Sequence, residues 1–542
     1  MGHQQRKSHG WQLGVLIIVA LVCSPAIGTP SKESPGAGSR DDSSPQSAVQ
    51  SSIADFYRVT GSEPIWIEAP GLSEKGHRFV RLLENIDSEG LDAKDYWYDE
   101  ILALSRETDL DWIGLWRLEL LLDLSYLSLG KDLIQGRADW NLHDPRWHIP
   151  RNRAQLADLA AALNSTIPID HALRALAPGH SAYHQLKEAL ARYREIEKAG
   201  GWDPIETNQS LKPGMENATV SIVRRRLVLE GDLEERDEGS PFLYDEQLVQ
   251  GVKAFQRRHG LEEDGVVGRK TREVMNIPVS ERVRQIQMNL ERWRWLPREL
   301  GNEYIMVNTA SFRLDYVRNA ETALTMRVIV GDQLHRTPVF MEKMTYIDIN
   351  PVWNVPQKIA TEEILPQLAM KPDYLERKGF RILSDWSPGA RELTLEETGW
   401  STEGGGHFPY RLQQAAGDQN ALGKIKFLLP NRYNIYLHDT PGKSLFSKPR
   451  RTFSHGCIRL ENPKGLAVAL FEQLKKWDEE RLEQLLAEGV NSKAILARPV
   501  PVYIVYFSSW VDESGAVYFS RDHYHRDRAL VRHLFPGEEI SY

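Results

Sequence analysis

Cysteine is nearly absent from this sequence. Of 542 residues only Cys23 and Cys457 are cysteine, and Cys23 sits in a segment that reads as an export signal, so no internal disulfide can form in the remainder. An excess of positive charge is missing too: 67 Lys and Arg face 75 Asp and Glu, for a net charge of -8. With no long basic block, nucleic acid is not expected as a partner. The chain has no His-Glu-x-x-His pattern, no structural-zinc spacing and no Gly-x-Ser-x-Gly elbow, which argues against metal-dependent and serine-dependent hydrolysis. Beyond residue 28 no apolar run approaches the roughly 20 residues of a membrane-spanning helix. What remains is a chain with 41% hydrophobic and 26% charged residues, enough for roughly two to four packed domains.

The N-terminus carries Arg6, Lys7 and His9 ahead of an apolar run from Trp11 to Cys23, followed by Ala26-Ile27-Gly28. A basic start, an apolar stretch and small residues form an export pattern. Residues 1–28 are expected to be a signal peptide or an uncleaved membrane anchor, and Val22 before Cys23 argues against a lipidated cysteine. Residues 29–52, rich in Ser, Pro, Gly and charge, read as a flexible linker. The working body is expected outside the cytoplasm, in a periplasm or at the outer face of the cytoplasmic membrane.

Residues 53–205 read as a helical scaffold. In Trp112 to Leu133 the apolar residues Leu115, Leu118, Leu122, Tyr126 and Leu129 recur at spacings of three and four, as on one face of a helix. Residues 206–280 read as a small three-helix module, with helices over Val220 to Leu229, Asp245 to His259 and onward from Lys270. Leu248, Val252 and Phe255 form its apolar stripe, and Arg257-Arg258 reads as a solvated face. A connecting helix follows over 281–300, marked by Val283, Ile286, Leu290, Trp293 and Leu296. Strand patterns then begin at Tyr304 to Val307, Phe312 to Val317, Leu324 to Val330 and Tyr346 to Ile349. Helices are expected over Asn462 to Trp477 and Glu479 to Glu488, with late strands at Val502 to Phe507 and Ala516 to Phe519. The result is a multidomain α+β chain whose catalytic region, 301–500, is mainly β and is followed by an extension, 501–542, packing on the scaffold or catalytic domain.

A lone cysteine is most often a buried, inert side chain. The surroundings of Cys457 argue otherwise. It stands in Ser454-His455-Gly456-Cys457-Ile458-Arg459, after a strand-like Tyr433 to Leu437 that ends at His438-Asp439-Thr440-Pro441-Gly442. Thiol catalysis requires a thiolate, a neighbouring base and backbone donors aimed at the oxygen that becomes negative. His438 supplies a base, Gly456 permits close backbone approach, and the Cys457 amide supplies a donor.

This His…Ser-His-Gly-Cys arrangement resembles the signature of the L,D-transpeptidases with a YkuD-like catalytic domain, and Val252 to Arg257 followed by Gly260-Leu261 and Asp264-Gly265 resembles a peptidoglycan-binding module. The resemblance points to the large multidomain branch of that family. It implies that Cys457 is the acylated nucleophile and His438 its base, with a backbone carbonyl rather than the Asp439 carboxylate orienting the imidazole. Gly456 and the Cys457 amide would serve the oxyanion. His455 is read as positioning the substrate or as holding the loop, and Arg459 as meeting an acidic group of the peptide or as structural. Ser454, Tyr436, Trp353 and Asp439 are expected to support the site.

The implied reaction releases terminal D-alanine from a tetrapeptide stem, forms a thioester on Cys457 and passes the acyl group to the side-chain amine of a second stem, giving a 3-to-3 cross-link. No cofactor and no metal are expected. Peptidoglycan stem peptides would be donor and acceptor, with wall synthases or amidases as further partners. Water as acceptor would make the same site a carboxypeptidase, and another amine would attach a protein to the wall. A wall-binding structural protein without activity is the non-enzymatic alternative.

The interval from about 360 to 422 is far longer than an ordinary connection. A helix from Glu363 to Met370, a strand over Phe380 to Leu383 and the glycines Gly404-Gly405-Gly406 before His407 suggest a partly helical lid, the alternative being an immobile surface subdomain.

Overall fold

The computed structural model describes residues 54–542 apart from 62, 69, 140–145, 236–238 and 401–407. The export segment, the linker and the Gly404 to His407 stretch lie outside the described residues. The described residues divide into two compact units, one drawn from 54–139, 150–195 and 286–298, the other from 146–149, 196–285 and 299–542. Among the described residues no helix is long and apolar enough to cross a membrane.

The first unit is mainly helical. Asp111 caps the helix Trp112–Gln135 by accepting from the Gly114 amide at 2.8 Å, and the face carrying Leu118, Leu122, Tyr126 and Leu129 is buried, as the spacing requires. Two carboxylates of the same helix reach across to a hairpin formed by β1 (Ile67–Glu68) and β2 (Gly71–Leu72). Glu119 accepts from the amides of Trp66 at 3.0 Å and Ile67 at 3.1 Å, and Asp123 from the Trp66 indole at 2.9 Å. Buried donors and acceptors are thereby matched.

In the second unit the module expected over 206–280 has helices Ala218–Glu230, Glu246–Arg258 and Arg269–Met275. Asn217 and Asp245 cap the first two. Val220, Val223, Leu227, Leu248, Val252 and Phe255 form one core. Arg258 differs from its expected place on a solvated face. It is buried and pairs with Asp232 and Glu230, because those acidic residues close the end of the preceding helix against it. Next comes the helix Val279–Arg294.

The mainly β region expected over 301–500 is built on β3 (Glu303–Asn308), β4 (Arg313–Arg318), β5 (Glu321–Gly331), β6 (Phe340–Ile349), β11 (Ile425–Leu428), β12 (Leu437–His438), β13 (Thr452–Ser454), β14 (Ile458–Leu460) and β15 (Ser492–Val505). Their order is β13-β5-β14-β12-β11-β6-β15-β3-β4, and a further β5–β4 pairing closes the sheet on itself. Alternation sets its two faces: Ile347, Ile349, Ile425, Phe427, Leu437, Ile458 and Leu460 are buried in the core, which leaves their sequence neighbours on the face that carries the site. The strand expected over 433–437 is shorter. Only Leu437 and His438 pair, because the Asn431 side chain accepts from the amides of Tyr433 (3.0 Å) and Ile435 (3.2 Å) and holds a turn in which Asn434 has φ 54°.

Between β6 and β11 the insertion forms a second, four-stranded sheet of β7 (Trp353–Asn354), β10 (Arg411–Gln414), β8 (Phe380–Leu383) and β9 (Glu392–Leu393). Beside helical turns at Ala360–Ile364, Leu365–Ala369 and Tyr374–Arg377 it has its own core of Val355, Ile364, Leu365, Ile382, Phe408 and Leu412. The C-terminal segment packs on this strand-rich region: the Tyr524 hydroxyl donates to the Gly331 carbonyl at 2.6 Å, and β15 runs through the boundary expected at 500/501.

Candidate active site

Two parallel neighbouring strands deliver the site. Leu437 pairs with Ile458 and His438 with Arg459. Because alternate side chains share a face, Tyr436 and His438 from one strand stand beside Cys457 and Arg459 from the other. Side chains 19 to 23 residues apart in sequence thus meet through the pairing of two very short strands.

Cys457 is partly buried, and its thiol approaches the Asn434 carbonyl at 3.6 Å. Burial pushes the thiol pKa up, while hydrogen bonds with Tyr436 and the charges of Lys426 and Arg459 pull it down without reversing the shift. Tyr436 lies in hydrogen-bonding contact with the Cys457 side chain and with Trp353 of β7. His438 is buried, its Nδ1 meets the Asp439 carbonyl at 2.5 Å, and its ring also meets the Leu422 carbonyl. Burial, then the positive charges of Arg459 and Lys426, lower its pKa to about 3. The imidazole is therefore neutral at physiological pH, and no hydrogen bond joins it to the thiol among the described residues. The resting pair is thiol and imidazole, not thiolate and imidazolium. The Asp439 carboxylate points elsewhere, to the Lys424 amide at 2.9 Å and the Lys443 ammonium at 2.7 Å.

The loop before Cys457 is held from both sides. The Ser454 hydroxyl donates to the Cys457 carbonyl and accepts from the Gly456 amide at 3.1 Å. Thr337 donates to the Gly456 carbonyl at 2.8 Å and accepts from the Gly331 amide at 2.9 Å. The Gly456 amide is thus occupied, whereas the Cys457 amide has no acceptor among the described residues and is free to serve an oxyanion. Gly456 has φ 110°, and a Cβ there would come within 3.1 Å of Ile435. Replacing Gly456 with alanine is expected to cost about 1–3 kcal/mol in backbone strain and to slow acylation at least about tenfold by turning the Cys457 amide away. Thermal unfolding and acylation rate constants check this, and an unaltered rate contradicts it.

His455 does not join His438. Its Nε2 meets the Glu363 carboxylate of the insertion at 2.7 Å, and its ring stands 4.6 Å from that of His335, which pairs with Asp332 at 3.1 Å. Residues not anticipated from the sequence are Lys426, Thr337, His335 and Asn434. Lys426 follows the alternation of an ordinary solvent-facing strand lysine, and Thr337 lies far from the motif, so neither carries a signal in the sequence. Among the described residues no cluster of three metal-ligating side chains is present.

Residues 302–491 match the L,D-transpeptidase catalytic domain, residues 217–275 a putative peptidoglycan binding domain and residues 51–190 a scaffold domain. A putative L,D-transpeptidase of Haemophilus influenzae is 35% identical over 259 residues, covering 47% of this chain and 51% of that protein. The chain thus spans about half the length of that curated relative. Among solved structures, an L,D-transpeptidase from Mycobacterium smegmatis matches at 12% identity with a TM-score of 0.18, covering 38% of this chain and 58% of that one. Another from Xylanimonas cellulosilytica matches at 14% identity with a TM-score of 0.15, covering 56% and 100%. The chain is a multidomain α+β protein carrying a YkuD-type L,D-transpeptidase catalytic domain and a peptidoglycan-binding domain.

Proposed function

We propose that the protein is a cysteine-dependent peptidoglycan L,D-transpeptidase that forms 3-to-3 cross-links. The observation that carries this reading is the register of β12 and β14, which sets Cys457 and His438 on one face with a free amide at the nucleophile. The thiol proton passes to the His438 imidazole as Sγ bonds to the acyl carbon of the third stem residue. The Cys457 amide, with the Tyr436 hydroxyl beside the sulfur, stabilises the negative oxygen. The amide C–N bond then breaks, the proton goes to the departing amine, and D-alanine leaves. An acceptor side-chain amine, deprotonated by His438, attacks the thioester and regenerates the thiol. Neither cofactor nor metal enters. The peptidoglycan-binding domain would hold the exported enzyme on the wall, where stem peptides are donor and acceptor. Incubation with purified tetrapeptide muropeptides tests the reading. Released D-alanine and a 3-to-3 dimer are expected, and release without dimer would instead define a carboxypeptidase.

The insertion would act as a lid. Its Glu363 grips His455, two residues from the nucleophile, and its own core lets it move as a body. Closure would exclude water and favour an amine acceptor. Glu363→Gln is expected to raise the ratio of hydrolysis to cross-linking about threefold or more, and bound stem peptide to increase hydrogen-exchange protection across residues 360–422. An unchanged ratio together with unchanged protection contradicts the lid.

A further inference from the structure

A row of charged side chains crosses the site face of the sheet. Arg459 on β14 is opposite His438 on β12, His438 is opposite Lys426 on β11, Lys426 is opposite Asp348 on β6, and Asp348 is opposite Lys493 on β15. Directly opposed residues share a face, so the histidine is flanked by two cations. The row has one negative member, and Asp348 is already held by Asn491 at 2.7 Å.

Neither of the two cations nearest Cys457 forms a direct ion pair among the described residues, although Lys426 feels the Asp348 carboxylate across the strand. Lys426 makes no hydrogen bond and no ion pair with the described residues. Its ammonium lies 3.9 Å from the centre of the Tyr436 ring, directed toward the side of the site where Tyr436 meets Cys457. Arg459 likewise forms no ion pair there, and its Nε is buried without a hydrogen-bond partner. Burying cationic groups unpaired is costly, and an aromatic face only partly replaces the lost hydration. Such a pair is completed by an anion. Arg459 offers a planar fork and Lys426 a point charge, which together suit a carboxylate. Asp439, the acidic side chain next to His438, is engaged by Lys443 and the Lys424 amide and leaves the pair open.

We propose that Lys426 and Arg459 form a carboxylate-binding cradle beside Cys457, which takes a free carboxylate of the donor peptide and places the adjoining carbonyl over the thiol. The inference rests on the transpeptidase reading for the identity of the donor. Two carboxylates of a stem peptide lie close to the scissile bond: the C-terminal carboxylate of the departing residue, and the side-chain carboxylate of the third residue when that residue is diaminopimelate. Filling the cradle has a second consequence. Burial first, and then the charges of Arg459 and Lys426, hold the His438 imidazole hard to protonate; a bound anion offsets the part due to the charges, so the base gains strength when a donor is in place.

The test is titration calorimetry on the full chain carrying Cys457→Ala, which separates binding from chemistry. Four donors are compared: a diaminopimelate tetrapeptide with both carboxylates free, the same peptide amidated at its C-terminus, the same peptide amidated on the diaminopimelate side chain, and the lysine tetrapeptide. One amidation is expected to weaken binding about tenfold or more, and which of the two does so identifies the carboxylate. The lysine peptide should behave like the side-chain amide. Adding Lys426→Met should remove the discrimination, and Lys426→Arg should restore it. Equal affinity for all four donors, or discrimination that survives Lys426→Met, overturns the cradle. Acylation of the wild-type thiol by the preferred donor is scored separately. Its absence alongside carboxylate-selective binding would count against the transpeptidase reading while leaving the cradle standing.

Discussion

Cys457→Ala is expected to abolish D-alanine release and cross-linking, a loss of roughly a thousandfold or more, while leaving thermal unfolding within about 1 kcal/mol of wild type. Both expectations follow from geometry. Among the described residues the hydrogen-bonding contacts of the thiol are with the Asn434 carbonyl and with Tyr436, so the fold loses little, whereas no other cysteine stands among the described residues. Serine at 454 does not replace it, because its hydroxyl is spent on the Cys457 carbonyl and the Gly456 amide. Product analysis by chromatography and a melting curve check the two halves. A folded alanine variant that still releases D-alanine contradicts the assignment of the nucleophile.

His438→Ala is expected to slow acylation by roughly a hundredfold to ten-thousandfold, the range for removing a general base. The pH dependence follows from the two shifted groups. A histidine whose pKa is lowered to about 3 is neutral, and able to accept a proton, at every pH above that value. A thiol whose pKa is raised keeps its proton through neutral pH and above. The competent form of the free enzyme is thiol with imidazole, so kcat/KM for acylation should be flat from about pH 5 to pH 8, with no acid limb near the ordinary histidine value of about 6.5. A limb centred there contradicts neutral His438 in the free enzyme. The corresponding His455 variant should be milder, since that ring pairs with Glu363 and lies against His335. A larger loss at His455 than at His438 transfers the role of base to His455.

Much of the architecture could be read from residue patterns, and the exceptions have physical causes. The long scaffold helix, the core helices around Phe255 and the strand Phe380–Leu383 are legible because apolar spacing alone determines which face is buried. Tyr433 to Tyr436 alternates like a strand but turns, since a single asparagine side chain at Asn431 captures the amides that a neighbouring strand would otherwise need. Arg258 reads as a surface charge, yet the acidic partners that bury it lie 26 and 28 residues away. The motif around Cys457 points to that residue as the proposed nucleophile. It says nothing of Lys426 or Thr337, whose roles depend on strand register and on a hydrogen bond across 119 residues. The segment after Arg521 carries no functional signal in the sequence, and its place against Gly331 arises from several distant partners, among them the Tyr524 hydroxyl on the Gly331 carbonyl, the Arg336 guanidinium on the Tyr524 carbonyl and the Tyr506 hydroxyl on Asp522.

The central claim is that Cys457 carries the acyl group between donor and acceptor, and trapping the acyl-enzyme tests it most directly. Full-length protein is mixed with a tetrapeptide donor in the absence of acceptor, quenched in acid and weighed intact, then digested to locate the added mass. The account predicts a single adduct equal to the donor less its terminal D-alanine, placed on Cys457, discharged by hydroxylamine as a thioester is, and absent from Cys457→Ala. A donor that loses D-alanine while the protein gains no mass at any time point, or an adduct on another residue that survives Cys457→Ala, would contradict it.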